Sequence, residues 1–230
     1  GVASISDKNL FGLGYYGLLQ FRLRPDTRDF KLSFTDPYFL GYRYTAGIDL
    51  YSERNEYFDT YSYKITGGDI RFGKELTENI RADMMYKLET IDVYNVTEDA
   101  SRYVKEQEGK KTTSAISLTL SRDTRDDFFA PTRGARHSLF IQNAGGILGA
   151  DNYFVKMTGE TSWFFPFPLS TVLNLRAKAG FIEPYGGRKT PIYEKFFVGG
   201  IRTVRGFEYG MAGPIDENRE PLGAEKMIVF

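Results

Sequence analysis

The stretch Tyr42-Arg43-Tyr44-Thr45-Ala46-Gly47-Ile48-Asp49-Leu50 decides the fold. Tyr42, Tyr44, Ala46, Ile48 and Leu50 oppose Arg43, Thr45, Gly47 and Asp49. A period of two belongs to a strand with one apolar and one polar face. The rhythm recurs upstream. Tyr15, Gly17, Leu19, Phe21 and Leu23 share a face with Gln20, Arg22 and Arg24 opposite, and Phe30, Leu32 and Phe34 oppose Lys31, Ser33 and Thr35. It recurs downstream in Ile80 to Leu88, Ile116 to Leu120, Tyr153 to Phe165 and Leu173 to Phe181. Pro25-Asp26-Thr27, Asp36 to Gly41, Glu75 to Asn79, Arg122 to Gly134 and Pro166-Phe167-Pro168 read as turns, because proline, glycine and aspartate favour the dihedrals that turns need. The pattern predicts about ten strands of roughly 9–12 residues. In the strand from Tyr61 to Phe72, Gly67-Gly68 predicts a bulge or slip of phase.

Composition narrows the function. Lys plus Arg is 30 and Asp plus Glu is 30 in 230 residues, so the charge is balanced and carries no nucleic-acid footprint. There is no cysteine, which excludes a disulfide scaffold and thiolate metal sites. His137 is the single histidine and reads as structural or interfacial. Histidine catalysis and multi-histidine metal sites are thereby disfavoured, and the chain is expected to be no enzyme, with no cofactor and no metal. Aromatic residues make up 16%, and no apolar run approaches the roughly 20 residues of a membrane helix. The chain opens on Gly1 without a signal peptide or start methionine, and the expectation is a processed or cut terminus.

Two folds alternate in this way, a soluble sandwich and a transmembrane barrel. Arg81, Asp83, Lys87, Lys156, Glu160, Arg176 and Lys178 put long charged side chains mid-strand on the polar face, which suits a wet lumen. The other face is broad and rich in Tyr, Phe and Leu, which suits lipid. Polar loops follow Leu50, Leu88 and Phe181, whereas tight turns follow Phe34, Phe72 and Phe165. Aromatics gather at strand ends in Tyr38-Phe39, Phe128-Phe129 and Trp163 to Phe167, as an interfacial girdle does. The favoured reading is an all-β, antiparallel, up-and-down transmembrane barrel. The charged stretch Asn95 to Lys111 is a long loop with a short helix around Glu98 to Glu106.

At Val198 to Gly210 the alternation stops. Glycines and two arginines, Arg202 and Arg205, form a segment that reads as a folded-back loop. The local sequence leaves equal room for a surface loop with an incidental arginine. Val204-Arg205-Gly206-Phe207 resembles the VRGF motif of the BamA family of outer-membrane insertases and polypeptide translocators. Pro191 to Gly200, including Tyr193-Glu194 and Gly199-Gly200, is similar to that family's P-F-Y-E-x-F-x-x-G-G segment. Arg122 to Asp126 and Pro131 to Gly134 resemble its D-x-R-D and P-T-x-G turn, and Asp36-Pro37-Tyr38-Phe39 resembles an earlier one.

The resemblance covers nearly the whole chain, residues 1–230, as about strands 2 to 12 of a sixteen-strand barrel, an incomplete one. It implies a loop over 185–224 that folds back into the lumen, supported by Tyr193, Glu194, Gly199 and Gly200. Arg205 is expected to pair with acidic residues lying beyond Phe230, Gly206 to allow a tight approach, and Phe207 to pack on the inner wall. The implied activity is folding and inserting β-barrel proteins into the bacterial outer membrane without nucleotide. The implied partners are the outer-membrane lipid bilayer and unfolded outer-membrane β-barrel substrates. Periplasmic chaperones and accessory lipoproteins are expected to act through POTRA domains outside this chain. A two-partner-secretion translocator of the same family, or a plain porin, is the alternative.

Overall fold

The computed structural model describes residues 1–24, 27–56, 60–100, 102–201, 203–217 and 219–230. Pro25 and Asp26 of the expected first turn, positions 57–59 of the polar loop, and Arg202 lie outside the described residues. The strands are β1 (Val2–Leu10), β2 (Tyr15–Leu23), β3 (Thr27–Asp36), β4 (Tyr44–Asn55), β5 (Ser62–Thr77) and β6 (Ile80–Tyr94). There follow β7 (Gly109–Asp123), β8 (Gly134–Ala144), β9 (Phe154–Phe167), β10 (Thr171–Pro184) and β11 (Lys226–Val229). A four-residue helix, α1 (Arg102–Lys105), lies inside the stretch expected to hold a short helix. All eleven strands form one open sheet in chain order, each antiparallel to its neighbours.

Two expectations need correction. β5 does not bulge at Gly67-Gly68. Its register with β4 and β6 runs through both residues, and the shift lies between Glu75 and Thr77. The glycines answer to crowding instead: a Cβ on Gly67 would stand 2.6 Å from Glu89 Cβ, and one on Gly68 would stand 2.8 Å from the Asp49 carbonyl oxygen. The strands are also longer than alternation suggested, with β5 at 16 residues and β6 and β7 at 15 each. Cross-strand hydrogen bonding carries the ladders on past the point where side chains stop alternating.

Burial is inverted relative to a water-soluble sheet. Leu32, Phe34, Ile48, Leu50, Ile70, Phe72, Met84, Leu88, Leu118, Trp163, Phe165 and Leu175 are all exposed, in registered rows across successive strands. Ser33, Asp49, Glu89, Thr113, Ser117 and Gln142, on the other face, are buried. An apolar surface of that extent marks an interface rather than a face turned to water. The polar face is stitched together by ion pairs. Asp49 lies 2.6 Å from Arg71 and 3.0 Å from Lys31 and accepts from Ser33 at 2.5 Å; Arg81 lies 2.8 Å from Asp83. The true apolar core is small and lies at one end of that same face, where the connections 95–108 and 185–225 fold over the sheet.

Candidate functional site: a loop anchored on the polar face

The connection 185–225 joins β10 to β11 and enters the polar face through a 3-10 turn, Ile192–Glu194. Alternation within Ile192, Glu194 and Phe196 builds the anchor. Ile192 is buried among Tyr61, Ile91, Val93, Ala100 and Val104. Phe196 packs with Ala115, Ala144, Phe154, Ile182 and Met227. Gly180 of β10 makes the room, since a Cβ there would stand 2.7 Å from the Phe196 ring.

Between these apolar contacts sits the Glu194 carboxylate, 7% exposed. It lies 3.2 Å from Lys87 Nζ of β6 and 2.9 Å from Lys156 Nζ of β9, and Lys156 also donates to the Glu194 carbonyl at 2.7 Å. Lys87 donates onward to Glu89 at 2.6 Å, and Glu89 accepts from Tyr51 of β4 at 2.8 Å. One charged chain thus ties β4, β6 and β9 to the loop. Burial drives the Glu194 pKa upward, but the two ammonium groups outweigh it and hold the carboxyl below its ordinary range. Charge-assisted bonds of this kind are the stronger class.

The neighbouring groups are neutral. Asn152 donates to the Tyr193 hydroxyl and to Thr113, each at 2.8 Å. Burial lifts the Tyr193 hydroxyl well above its ordinary pKa, so it stays protonated. Gln107, beside α1, accepts from the Ile192 amide at 2.8 Å and donates to the Thr190 carbonyl at 3.3 Å.

The four motif residues sit on a tight turn. The Gly200 amide donates to the Phe207 carbonyl at 2.9 Å, and the Thr203 hydroxyl bridges Gly199, accepting from its amide and donating to its carbonyl at 2.8 Å each. Gly199 has φ +135°, and a Cβ there would stand 2.1 Å from the Glu208 carbonyl oxygen. Gly199 thus makes a close approach within the loop itself. Gly206 has φ +88°, with no atom of the described residues within 4 Å of where its Cβ would stand, so within this wall it supplies dihedral freedom.

Phe207 is half exposed, and Arg205 is exposed with no ion pair to any described residue. Arg205 opens, with Val204, onto a cavity of about 500 Å³ that Arg176, Lys178 and Phe230 also line. Arg176 has a carboxylate, Glu160, at 2.8 Å. Arg205 and Lys178 share the cavity with this already paired Arg176, and no acidic side chain is in its lining. Tyr193 and Glu194 thus lie at the root of the loop and Val204 to Phe207 at its tip. The sequence flagged Lys87 and Lys156 only as lumen-suited charges, and nothing in it flagged Gln107, Asn152 or Thr113. His137 fills the structural role expected of it, with Nδ1 2.8 Å from the Thr161 hydroxyl and its ring edge-on to Trp163.

A sheet with one face fit for lipid and the other polar and crossed by a pinned loop defines a transmembrane β-barrel wall. No helix among the described residues is long and apolar enough to cross a membrane, and the strands do the crossing. The chain belongs to the Omp85 superfamily, whose domain matches residues 9–230. It is 32% identical over 225 residues to the outer membrane protein assembly factor BamA of Nitratidesulfovibrio vulgaris, covering 97% of this chain and 28% of that protein. The BamA of Neisseria meningitidis is 29% identical over 230 residues, covering 92% of this chain and 29% of that protein. Among solved structures, BamA from Haemophilus ducreyi lacking POTRA domains 1-3 superposes with a TM-score of 0.85 at 20% identity, over 99% of this chain and 48% of that one. The fold is that of a BamA barrel, and the chain spans less than a third of the length of these curated relatives. It is a homologue of outer-membrane assembly factors, and its place is the outer membrane.

Proposed function

We propose that this chain forms part of the barrel wall of an assembly factor that folds β-barrel proteins and inserts them into the outer membrane without catalysis and without nucleotide. In this reading the connection 185–225 is a fixed element of the lumen. Glu194 holds its root, and Val204 to Phe207 is presented to the rest of the wall. The cavity around Arg205 is the observation that supports this most directly. Arg205 and Lys178 lie together there without a carboxylate among the described residues, while Glu160 meets Arg176; like charges held together favour added anions, and a guanidinium suits a two-point carboxylate contact. We assign those carboxylates to barrel strands beyond Phe230. The substrates are unfolded outer-membrane β-barrels, the solvent is the lipid bilayer, and chaperones and accessory lipoproteins act through POTRA domains.

The connections 95–108 and 185–225 face the cell exterior, while 37–43, 78–79, 124–133 and 168–170 face the periplasm. Cysteine labelling of intact cells carrying the full-length protein reads this orientation; a label accepted at Pro168 and refused at Lys105 reverses it. The activity is tested by complementation in cells depleted of the native protein, with folded porin levels as readout. Arg205→Ala is expected to lower those levels at normal abundance of the factor, and Arg205→Lys to restore them in part. Arg202→Ala serves as the comparison and is expected to be near neutral. Equal behaviour of the two alanine variants would show that the loop needs only general positive charge. Normal porins with failed export of a single secreted polypeptide would assign the chain to translocation instead.

A further inference from the structure

Three registered rows cross the lipid-suited face of β3 to β7, each two residues nearer the long loops than the last. The first is Leu32, Leu50, Gly68, Leu88 and Ser114. The second is Phe30, Ser52, Thr66, Thr90 and Thr112, in which the hydroxyls of Ser52 and Thr66 lie 3.3 Å apart and those of Thr90 and Thr112 lie 3.2 Å apart. The third is Arg28, Arg54, Lys64, Asp92 and Lys110. Alternate residues share a face and stand about 7 Å apart along a strand. The surface therefore passes from hydrocarbon through hydroxyls to charge in about 14 Å.

In the third row like charges stand directly opposite one another, Arg28 against Arg54 and Arg54 against Lys64. Adjacent strands lie about 4.8 Å apart, so three cations fall within about 10 Å, an arrangement that is destabilising by itself. Arg54 is met at 2.6 Å by Glu56 and at 2.6 Å by the Tyr94 hydroxyl. Arg28 and Lys64 are exposed and have no ion pair to any described residue. The three cations line a cavity of about 550 Å³ together with Phe21, Leu23 and Phe30. Asp29 and Asp92 also line it, but each has a cation of its own, Arg22 at 3.0 Å and Lys110 at 4.0 Å. The feature is local. On β8 to β10 the last registered row of the same face is Asn143, Val155 and Glu183, with no cation.

We propose that this recess is a discrete binding site for one acyl lipid that carries an uncapped phosphate. Arg28 and Lys64 take the phosphate with Arg54 between them, and the Ser52 and Thr66 hydroxyls meet the ester region. The acyl chains start along Phe21 and Phe30, whose ring centroids lie 5.2 Å apart. Charge selects the ligand, because guanidinium and ammonium groups bind phosphate through charge-assisted hydrogen bonds. The apolar floor and the hydroxyl row beside it select a lipid over a soluble anion, since their order matches chain, ester and phosphate. The proposal rests on the membrane placement of this face and not on assembly activity, so its test reads lipid contact.

The test uses the full-length protein, freed of other cysteines, with a fluorophore on Thr66→Cys or, on β8, Asn143→Cys. It is reconstituted in phosphatidylcholine vesicles that carry a minor fraction of either phosphatidic acid or phosphatidylcholine with a nitroxide on the same acyl carbon. At 66 the phosphatidic acid is expected to quench severalfold more than the phosphatidylcholine, and at 143 the two are expected to quench alike. Arg28→Gln with Lys64→Gln is expected to keep its heat-resistant mobility and to bring the two lipids level at 66. Equal quenching at 66 in the unsubstituted background would overturn the proposal, whether or not the double variant folds. The same excess at 143 would also overturn it, by showing a general attraction of anionic lipid to the barrel. So would an excess at 66 that survives the double variant. Loss of the excess in millimolar inorganic phosphate, at constant ionic strength, would assign the recess to a soluble anion and remove lipid as its occupant.

Discussion

The root and the tip of one loop differ in how their charges are met. At the root, Glu194 is enclosed, meets two lysines on separate strands, and is flanked by Ile192 and Phe196 in two apolar clusters. At the tip, Arg205 is exposed among other cations and has no carboxylate among the described residues. The root is a self-contained lock on the wall that this chain builds. The tip is a presented surface, hydrogen-bonded at Gly199 and Gly200 and unfinished in charge. A loop can therefore be firmly anchored at its root and still leave a cation unmet at its tip.

Breaking the root gives the largest expected effect. Glu194→Ala leaves Lys156 without its carboxylate and Lys87 with Glu89 alone, a loss of about 3–5 kcal/mol for a broken buried pair and less where water reaches the lumen. Urea-induced loss of heat-resistant mobility in the full-length protein measures it, and a midpoint matching wild type would show that the apolar clusters alone hold the root. Acid probes the same bond more gently. The Glu194 pKa is depressed below its ordinary 4.5, so its contribution is fully present above that value and lost as pH falls through the folded-state pKa. Protease access to the loop is expected to rise in that acid window in wild type and to lack this step in Glu194→Gln.

Asn152→Ala removes the buried donor to both Tyr193 and Thr113, at a cost of about 1–3 kcal/mol. Gly199→Ala forces a side chain into a φ of +135° against the Glu208 carbonyl, at about 1–3 kcal/mol of local strain. Its signature is accelerated hydrogen exchange at the Gly200 amide with the Ile192 amide unchanged; parallel changes at both would merge root and tip into one unit. Smallest is Arg205→Ala, within about 0.5 kcal/mol in this wall because the guanidinium is exposed and unpaired here. A much larger shift in the complete protein would locate a strong partner outside this wall.

The fold was largely legible because a sheet that buries one face in lipid must repeat its pattern on every strand, and Tyr42 to Leu50 does so without a break. Gly67-Gly68 misled for a physical reason. Glycine marks a bulge and a crowded cross-strand contact with the same letter, and only the neighbouring Glu89 and Asp49 distinguish them. The root of the site was legible in part. Tyr193 and Glu194 stood inside a motif resemblance, and Lys87 and Lys156 were visible as mid-strand charges. Their meeting was hidden, because Glu194 lies 107 residues from Lys87 and 38 from Lys156, and no local period encodes such a distance. Gln107 and Asn152 carry no signal, since polar loop residues look alike until a backbone amide or a hydroxyl is placed beside them.

The contacts of Gln107 also bear on the order of assembly. Each strand meets its neighbour through a nearby turn, so the sheet can zip by successive short closures. The contacts that Gln107 and Glu106 make with Ile192, Thr190 and Lys189 close 83 to 85 residues of chain at once. That closure has a larger entropic penalty and little to gain until β6 to β10 already hold their ends in place. Docking of the 185–225 loop is therefore expected to be the late step in folding this wall, and protease cutting confined to the loop, followed through refolding, would time its completion.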